Sequence, residues 1–212
     1  MQQPGHLISL NVATPREIER GGEIIRTAIW KQPVAGRRAV EGVNIDGDDQ
    51  ADRTVHGGID KAVYAYASED YEWWSHQLGK ELDAGTFGEN LTLSGVDVSG
   101  ALIGERWRVG SVLLEVSEPR FPCWKLGVRM DDPGFLKQFA KALRPGAYLR
   151  IVEAGELGAG DAVEIVERPG HEATIELFAR AYLEDRQLIP QVLAAQALSD
   201  SWHDWFSEQL AK

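Results

Sequence analysis

The sequence predicts a mainly β fold with a few helices, a barrel or sandwich, followed by a small C-terminal unit of three helices. Short runs of β-branched and aromatic residues recur through the first two thirds, at 7–13, 23–30, 37–45, 61–67, 106–117 and 147–153. Each shows partial two-residue alternation, as in half-buried strands. Glycines punctuate these runs at 21–22, 57–58, 85, 88, 95, 100, 104 and 155–160, where the chain must turn. Strands this short and this numerous fit a barrel or sandwich better than a doubly wound parallel sheet. After Arg168, Pro169 and Gly170 the pattern changes: from Thr174 onward there is no glycine and apolar residues fall at helical intervals.

Within the run at 106–117, Val112, Leu114 and Val116 share one face, with Glu115 and Ser117 opposite, so one side is buried. Two helices interrupt the strands. Ser68 is placed to cap one that ends at Leu78, with Glu69 and Asp70 at its positive end and Tyr71, Trp74 and Leu78 on one face. Gly79 stops it. Asp132 and Pro133 open the second, in which Phe135, Phe139 and Leu143 repeat at helical spacing until Arg144, Pro145 and Gly146 end it. In the tail, three helical stretches carry Leu177, Phe178, Ala181 and Tyr182, then Val192, Leu193 and Ala197, then Trp202, Trp205 and Phe206, with Asp185 and Ser199 as caps. Helices of about ten residues are not stable alone. They must pack on each other or on the strands, which divides the chain into a β-rich core at 1–168 and a helical unit at 169–212.

The chain has 212 residues and a formal charge of −11. That charge argues against a nucleic-acid backbone or an anionic membrane as partner. Its one cysteine rules out an internal disulfide framework and any multi-cysteine zinc site. The N-terminus lacks a secretory pattern and no apolar stretch is long enough for a membrane span, so a cytoplasmic protein is expected. Seven tryptophans point to large buried anchors. In the tail, Trp202, Trp205 and Phe206 serve either to dock the helices on the core or to join two copies of the chain as a homodimer; burial of large aromatics favours docking.

The lone cysteine is the first candidate for chemistry. Cys123 sits in EPRFPCWK at 118–125, after a predicted strand. Pro119 and Pro122 fix φ and hold the segment extended, while Arg120 and Lys125 favour the thiolate, the form that ligates metal or attacks electrophiles. The alternative is a small buried hydrophobe. A second stretch, QADRTVHGGIDKAVY at 50–64, gathers His56 for proton transfer, Asp60 to orient it, Lys61 as an anion clamp and the Gly57 and Gly58 amides for close backbone approach. A plain glycine turn is the competing reading. Asn90, in FGENLT at 87–92, can hydrogen-bond a heterocycle or cap a turn. Lys31 and Arg37 form a small cationic cluster. The acidic residues Asp46, Asp48, Asp49 and Asp52 fail as a calcium loop, because Ala51 and Gly57 occupy the glycine and glutamate positions. They read as a solvated loop.

Taken in order, WKQPV at 30–34 with Gly36 and Arg37, the 50–64 stretch, FGENLT at 87–92 and PRFPC at 119–123 resemble a MOSC domain, named for the C-terminus of molybdenum-cofactor sulfurases. The resemblance extends to the stand-alone bacterial YiiM-like branch and covers nearly the whole chain, helical tail included. It implies a barrel-like β core whose cleft holds a molybdenum–pterin cofactor. In the related mitochondrial amidoxime-reducing component the matching cysteine ligates molybdenum, which makes Cys123 the implied metal ligand. Lys31, Arg37, Gly57, Gly58, Lys61, Asn90 and Arg120 are the implied cofactor binders, with His56 donating a proton and Asp60 or Asp52 setting its tautomer. Pyridoxal phosphate is not expected, since in full-length sulfurases it belongs to a separate domain. The implied activity is reduction of N-hydroxylated compounds, including N-hydroxylated base analogues, with electrons from an external reductase, a flavoprotein. The alternative is a non-catalytic carrier of the cofactor or of a persulfide on Cys123.

Overall fold

The computed structural model describes residues 5–49 and 57–212; His56 and Asp52 lie outside the described residues. Seven strands close into a barrel: β1 (Gly5–Val12), β7 (Val63–Ala67), β8 (Leu91–Ser94), β9 (Arg106–Val109), β10 (Val112–Pro119), β11 (Ala147–Glu153) and β13 (Ala162–Glu167). Around the wall the order is β13-β9-β10-β11-β7-β8-β1, and pairing of β1 with β13 completes the circle. Within that circle only β7 and β8 run parallel, so their connection must cross over, which it does through α1 (Ser68–Leu78). A hairpin of β2 (Arg16–Arg20) and β3 (Glu23–Thr27) stands outside the barrel. The short strand β4 (Gln32–Pro33) pairs with the end of β1. A three-stranded sheet of β5 (Arg37–Glu41), β6 (Asn44–Ile45) and β12 (Gly155–Gly158) lies beside it.

Strand β7 reads VYAYA and is buried throughout. Val63, Ala65 and Ala67 face the barrel core, while Tyr64 and Tyr66 face outward into a second, aromatic cluster. That cluster is built from Tyr71 and Trp74 of α1, Phe87, Leu126 and Met130 of α2 (Trp124–Met130), and Phe135 and Phe139 of α3 (Phe135–Ala142). The tyrosines keep their hydroxyls satisfied, as buried aromatics must: Tyr66 donates to the Arg144 carbonyl at 2.9 Å and accepts from Trp74 Nε1 at 2.8 Å.

Several sequence expectations shift here for identifiable reasons. The run at 106–117 is a hairpin, broken by Gly110 at φ 58°, a conformation that suits glycine. The run at 37–45 likewise splits into β5 and β6. Ser68 does not cap α1; Ala67 holds that position with no side-chain bond, and Ser68 Oγ turns to Glu69. The cysteine segment stays non-helical as expected, with Cys123 extended at φ −117° and ψ 162°, and α2 begins only at Trp124. In the tail, α4 (Ile175–Leu183) is capped by Thr174, whose hydroxyl accepts from Leu177 N at 3.0 Å. The middle helix is one short turn, α5 (Ile189–Val192), and α6 (Asp200–Leu210) carries the aromatic face. Among the described residues, no helix is long and apolar enough to cross a membrane.

The tail docks on the barrel. Ala173, Ile175, Phe178, Ala181, Ile189, Val192 and Phe206 belong to the same hydrophobic cluster as the barrel interior. Phe206 is fully buried and packs 5.0 Å, centroid to centroid, from both Phe178 and Trp205. Phe206→Ala is expected to destabilise the whole chain by about 3–5 kcal/mol, seen in urea melts as one cooperative transition moved to lower denaturant. A separate early transition for the helices, with the barrel's unchanged, is the opposite result.

Candidate functional site

A cleft opens on the outer face of the barrel wall where Tyr64 of β7 and Tyr148 of β11 stand side by side. Its other walls are the segment from Thr27 to Lys31, the loop carrying Phe87 to Asn90, the end of the Asp48 turn, and the 120–125 segment that joins β10 to α2. Its enclosed space is small, about 110 Å³, and it opens to solvent at the mouth. Cys123 is half-buried at its wall, together with Arg120, Lys125, Lys61 and Lys31. The thiol therefore faces a cation-lined cleft and not a sealed core.

The four cations differ in how they are held. Lys31 is buried and its ammonium contacts both carboxylate oxygens of Asp48, at 2.6 and 2.5 Å. Burial lowers its pKa, against the pull of Asp48. Asp48 is not a solvated loop residue, as its sequence context suggested: it also accepts from Ala13 N at 2.8 Å and Asn90 Nδ2 at 2.8 Å, and its side chain is 2% exposed. Lys61 lies 3.3 Å from Glu118 Oε1. Burial raises the Glu118 pKa, with Lys61 and the Trp202 indole opposing.

Arg120 is different. It is 5% exposed, yet its Nη1 is buried with no hydrogen-bond partner among the described residues. Its guanidinium lies 5.8 Å from the Tyr64 ring and 5.3 Å from that of Phe139. Burial works against its charge, but Tyr64, Cys123 and Tyr148 outweigh that and raise its pKa. Burial also pushes the Tyr148 hydroxyl up to about 12, with Arg120 opposing; it stays a neutral phenol near pH 7. Lys125 is 8% exposed and borders the cleft next to Cys123. An unpartnered guanidinium nitrogen in a dry wall is costly unless a ligand completes it.

Other expected site residues take different places. The Asn90 amide is already engaged: Nδ2 donates to Asn11 O and Asp48 Oδ2, and Oδ1 accepts from Tyr64 N. Asn90 thus ties β1, β7 and the Asp48 turn together at the cleft floor. Asp60 turns away, its Oδ1 accepting from Arg150 Nε at 2.6 Å, because Arg150 on β11 joins Asp60 and Glu115 on the barrel surface. Arg37 lies outside the cleft, captured by Asp161 and the Glu156 carbonyl, each at 2.7 Å. Gly58 has φ 97° and opens the turn Ile59–Lys61, but neither it nor Gly57 is among the described residues lining the cleft. Sequence reading overlooked Tyr64, Tyr148, Phe121 and Asp48. The alternation of tyrosine with small residues in VYAYA was the available signal for Tyr64.

Behind the floor, Glu89 is fully buried. Its Oε1 accepts from Tyr71 Oη and Gly85 N, each at 2.6 Å, and from Thr92 Oγ1 at 2.8 Å, while Oε2 has no partner among the described residues.

The fold and site together define a class: a small closed β-barrel that carries a single cysteine in a cation-lined cleft on its outer wall. The MOSC domain pattern matches residues 52–164, and the chain belongs to the MOSC domain family. YiiM of Escherichia coli is 31% identical over 182 residues, 83% of this chain and 81% of that protein. A protein of Gibberella moniliformis named reductase is 34% identical over 171 residues, 79% of this chain but 30% of that protein. The crystal structure of YiiM from Geobacillus stearothermophilus superimposes with a TM-score of 0.81 at 30% identity, covering 98% of this chain and all of that one. The chain is thus YiiM-like.

Two outcomes follow from the buried charges. Lys31→Met leaves Asp48 buried without its cation and is expected to cost about 3–5 kcal/mol; adding Asp48→Asn restores part of it, as read in urea melts of both variants. Burial raises the Glu89 pKa above its ordinary value, so the folded state holds that proton more tightly than the unfolded chain. Stability therefore falls as pH rises from about 4.3, the ordinary glutamate value, toward the folded-state pKa. Glu89→Gln is expected to flatten that slope relative to wild type.

Proposed function

We propose that the chain is a molybdenum-cofactor-dependent reductase of N-hydroxylated compounds, base analogues included, with Cys123 as the protein's ligand to the metal. The observation that carries this reading is Cys123 in one cleft with Arg120, whose buried Nη1 lacks a partner among the described residues, and with Lys125. One thiolate supplies one bond, so it suits a metal that arrives with ligands of its own, and soft sulfur suits molybdenum. A phosphate and a dithiolene are anionic, and a guanidinium with an open donor is matched to such a group. The residues present fit the cofactor. Membership of the MOSC family and the name of the Gibberella relative support the same direction.

When bound, the cofactor would supply two electrons for cleavage of the N–O bond, the oxygen leaving as water with two protons. The remaining tasks fall to the chain. Cys123 gives up its proton to become a ligand. Arg120 and Lys125 hold the anionic part, while Lys31 and Lys61, compensated by Asp48 and Glu118, shape the wall. The rings of Tyr64, Phe87, Phe121 and Tyr148 with Ile29 offer an apolar, aromatic wall for a heteroaromatic substrate. The Tyr148 phenol, neutral near pH 7, can donate a hydrogen bond to a hydroxyl oxygen. His56 remains the proposed proton donor. Electrons would come from an external reductase, a flavoprotein.

The protein is to be made in a host able to synthesise the cofactor, then assayed for bound molybdenum and for N-hydroxylated adenine reduction with a viologen donor. Wild type is expected to bind metal and turn over. Cys123→Ala is expected to lose at least about 100-fold in activity, the scale of losing a group that acts at the reacting centre, and Arg120→Gln to lose cofactor occupancy. Metal without turnover would favour a carrier, and a Cys123→Ala protein with full metal and activity would overturn the ligand assignment.

A further inference from the structure

The segment that carries Cys123 is held from behind by the C-terminal helices, and at two points. Glu118, the penultimate residue of β10, is buried and has a partner on each side: Oε1 meets Lys61 Nζ at 3.3 Å, and Oε2 accepts from Trp202 Nε1 of α6 at 3.1 Å. Three residues on, Phe121 borders the cleft on one side. On the other it packs 4.5 Å from Tyr182, 5.7 Å from Trp202 and 6.0 Å from Phe178, centroid to centroid. The tail therefore reaches the cleft through one hydrogen bond and one ring.

A buried carboxylate needs its oxygens satisfied to stay ionised. Glu118 shares that requirement between a cleft-wall cation and the tail. With both partners present it compensates the Lys61 charge. Without the indole N–H, the carboxylate takes up a proton more readily, and Lys61 then faces the cleft with its charge less compensated. We propose that Glu118 and Trp202 are positioning residues through which the C-terminal helices set the positive charge that Lys61 presents to an anion in the cleft. The tail is, in this sense, part of the site. This holds for any anionic ligand and does not depend on the metal chemistry proposed above.

The single cysteine makes the test direct, since Cys123 lines the same cleft as Lys61. Iodoacetate and iodoacetamide both alkylate the thiolate, so the ratio of their rates at one pH cancels the thiolate fraction and reports local charge. The full-length protein without metal suffices. Glu118→Gln keeps an acceptor for the indole but removes the charge, and is expected to raise the iodoacetate-to-iodoacetamide ratio about three- to tenfold, the scale of one unit charge at short range partly screened by salt. Trp202→Phe, or the more flexible Trp202→Met if the first lowers the melting temperature, each without a donor, is expected to raise it about twofold or more. The double variant is expected to match Glu118→Gln alone, as coupled residues do. Trp205→Phe, which alters the same aromatic cluster, is expected to leave the ratio at the wild-type value, and Lys61→Gln to lower it. A Glu118→Gln ratio equal to wild type overturns the proposal outright. Trp202 variants that match wild type and Trp205→Phe overturn the role of the tail. Neither result would bear on molybdenum binding, which the assay of the preceding subsection reads separately.

Discussion

The site depends on a strand that is buried on both faces. In VYAYA, the small and β-branched residues Val63, Ala65 and Ala67 complete the barrel interior, and the tyrosines between them face an outer aromatic layer. Strand alternation makes this a strict arrangement, because a slip of one residue would send the rings into the barrel and leave the outer layer without its base. Around Tyr64 and Tyr66 gather α1, α2 and α3, and the cleft is the place where that outer layer stops short of covering the wall. The site is thus a gap in a helical coat over a closed sheet, not the mouth of the barrel.

Charge in the cleft follows the same economy of position. The protein carries −11 overall, yet the four cations named here converge on one concavity. Two of them are compensated by buried carboxylates that belong to the scaffold: Asp48, which ties β1 to the Asn90 loop, and Glu118, which ties β10 to the tail. Arg120 and Lys125 form no ion pair among the described residues, and both flank Cys123 in sequence. Paired cations give the wall shape and rigidity; the pair beside the thiol gives it a sign. Such an arrangement concentrates positive potential where a low-dielectric wall makes it count most.

Much of the fold was legible because its signals are local. Strand runs, the helix at 68–78 ended by Gly79 and the switch to helical spacing near Thr174 all follow from residue pattern. What escaped was set by partners distant in sequence. Nothing in the run at 46–52 marks Asp48 as buried; it is buried because Lys31 and Asn90 are brought to it from far along the chain. Asp60, adjacent to Lys61, was paired in sequence with a histidine but is paired in space with Arg150, which lies 90 residues away. Arg37 followed the edge sheet to Asp161 instead of entering the cleft. Cys123, Arg120, Lys61, Lys31 and Asn90 reached the cleft as expected, though Asn90 holds the floor together with its own amide.

The geometry of the cysteine segment has a simple physical origin. Strand β10 ends at Pro119, α2 starts at Trp124, and Pro122 lies between. Prolines at both positions fix φ and withdraw two N–H donors, so the short link has few conformations and makes few competing hydrogen bonds. The Cys123 carbonyl ties it to α2, accepting from Leu126 N at 2.9 Å. The link is clamped at its ends by Glu118 and by Leu126, which is fully buried among the aromatics of the outer layer. A thiol placed on such a segment is oriented before any ligand arrives, which lowers the ordering cost of binding. Because one clamp faces the outer aromatic layer and the other the tail, the cysteine stands at the seam between both.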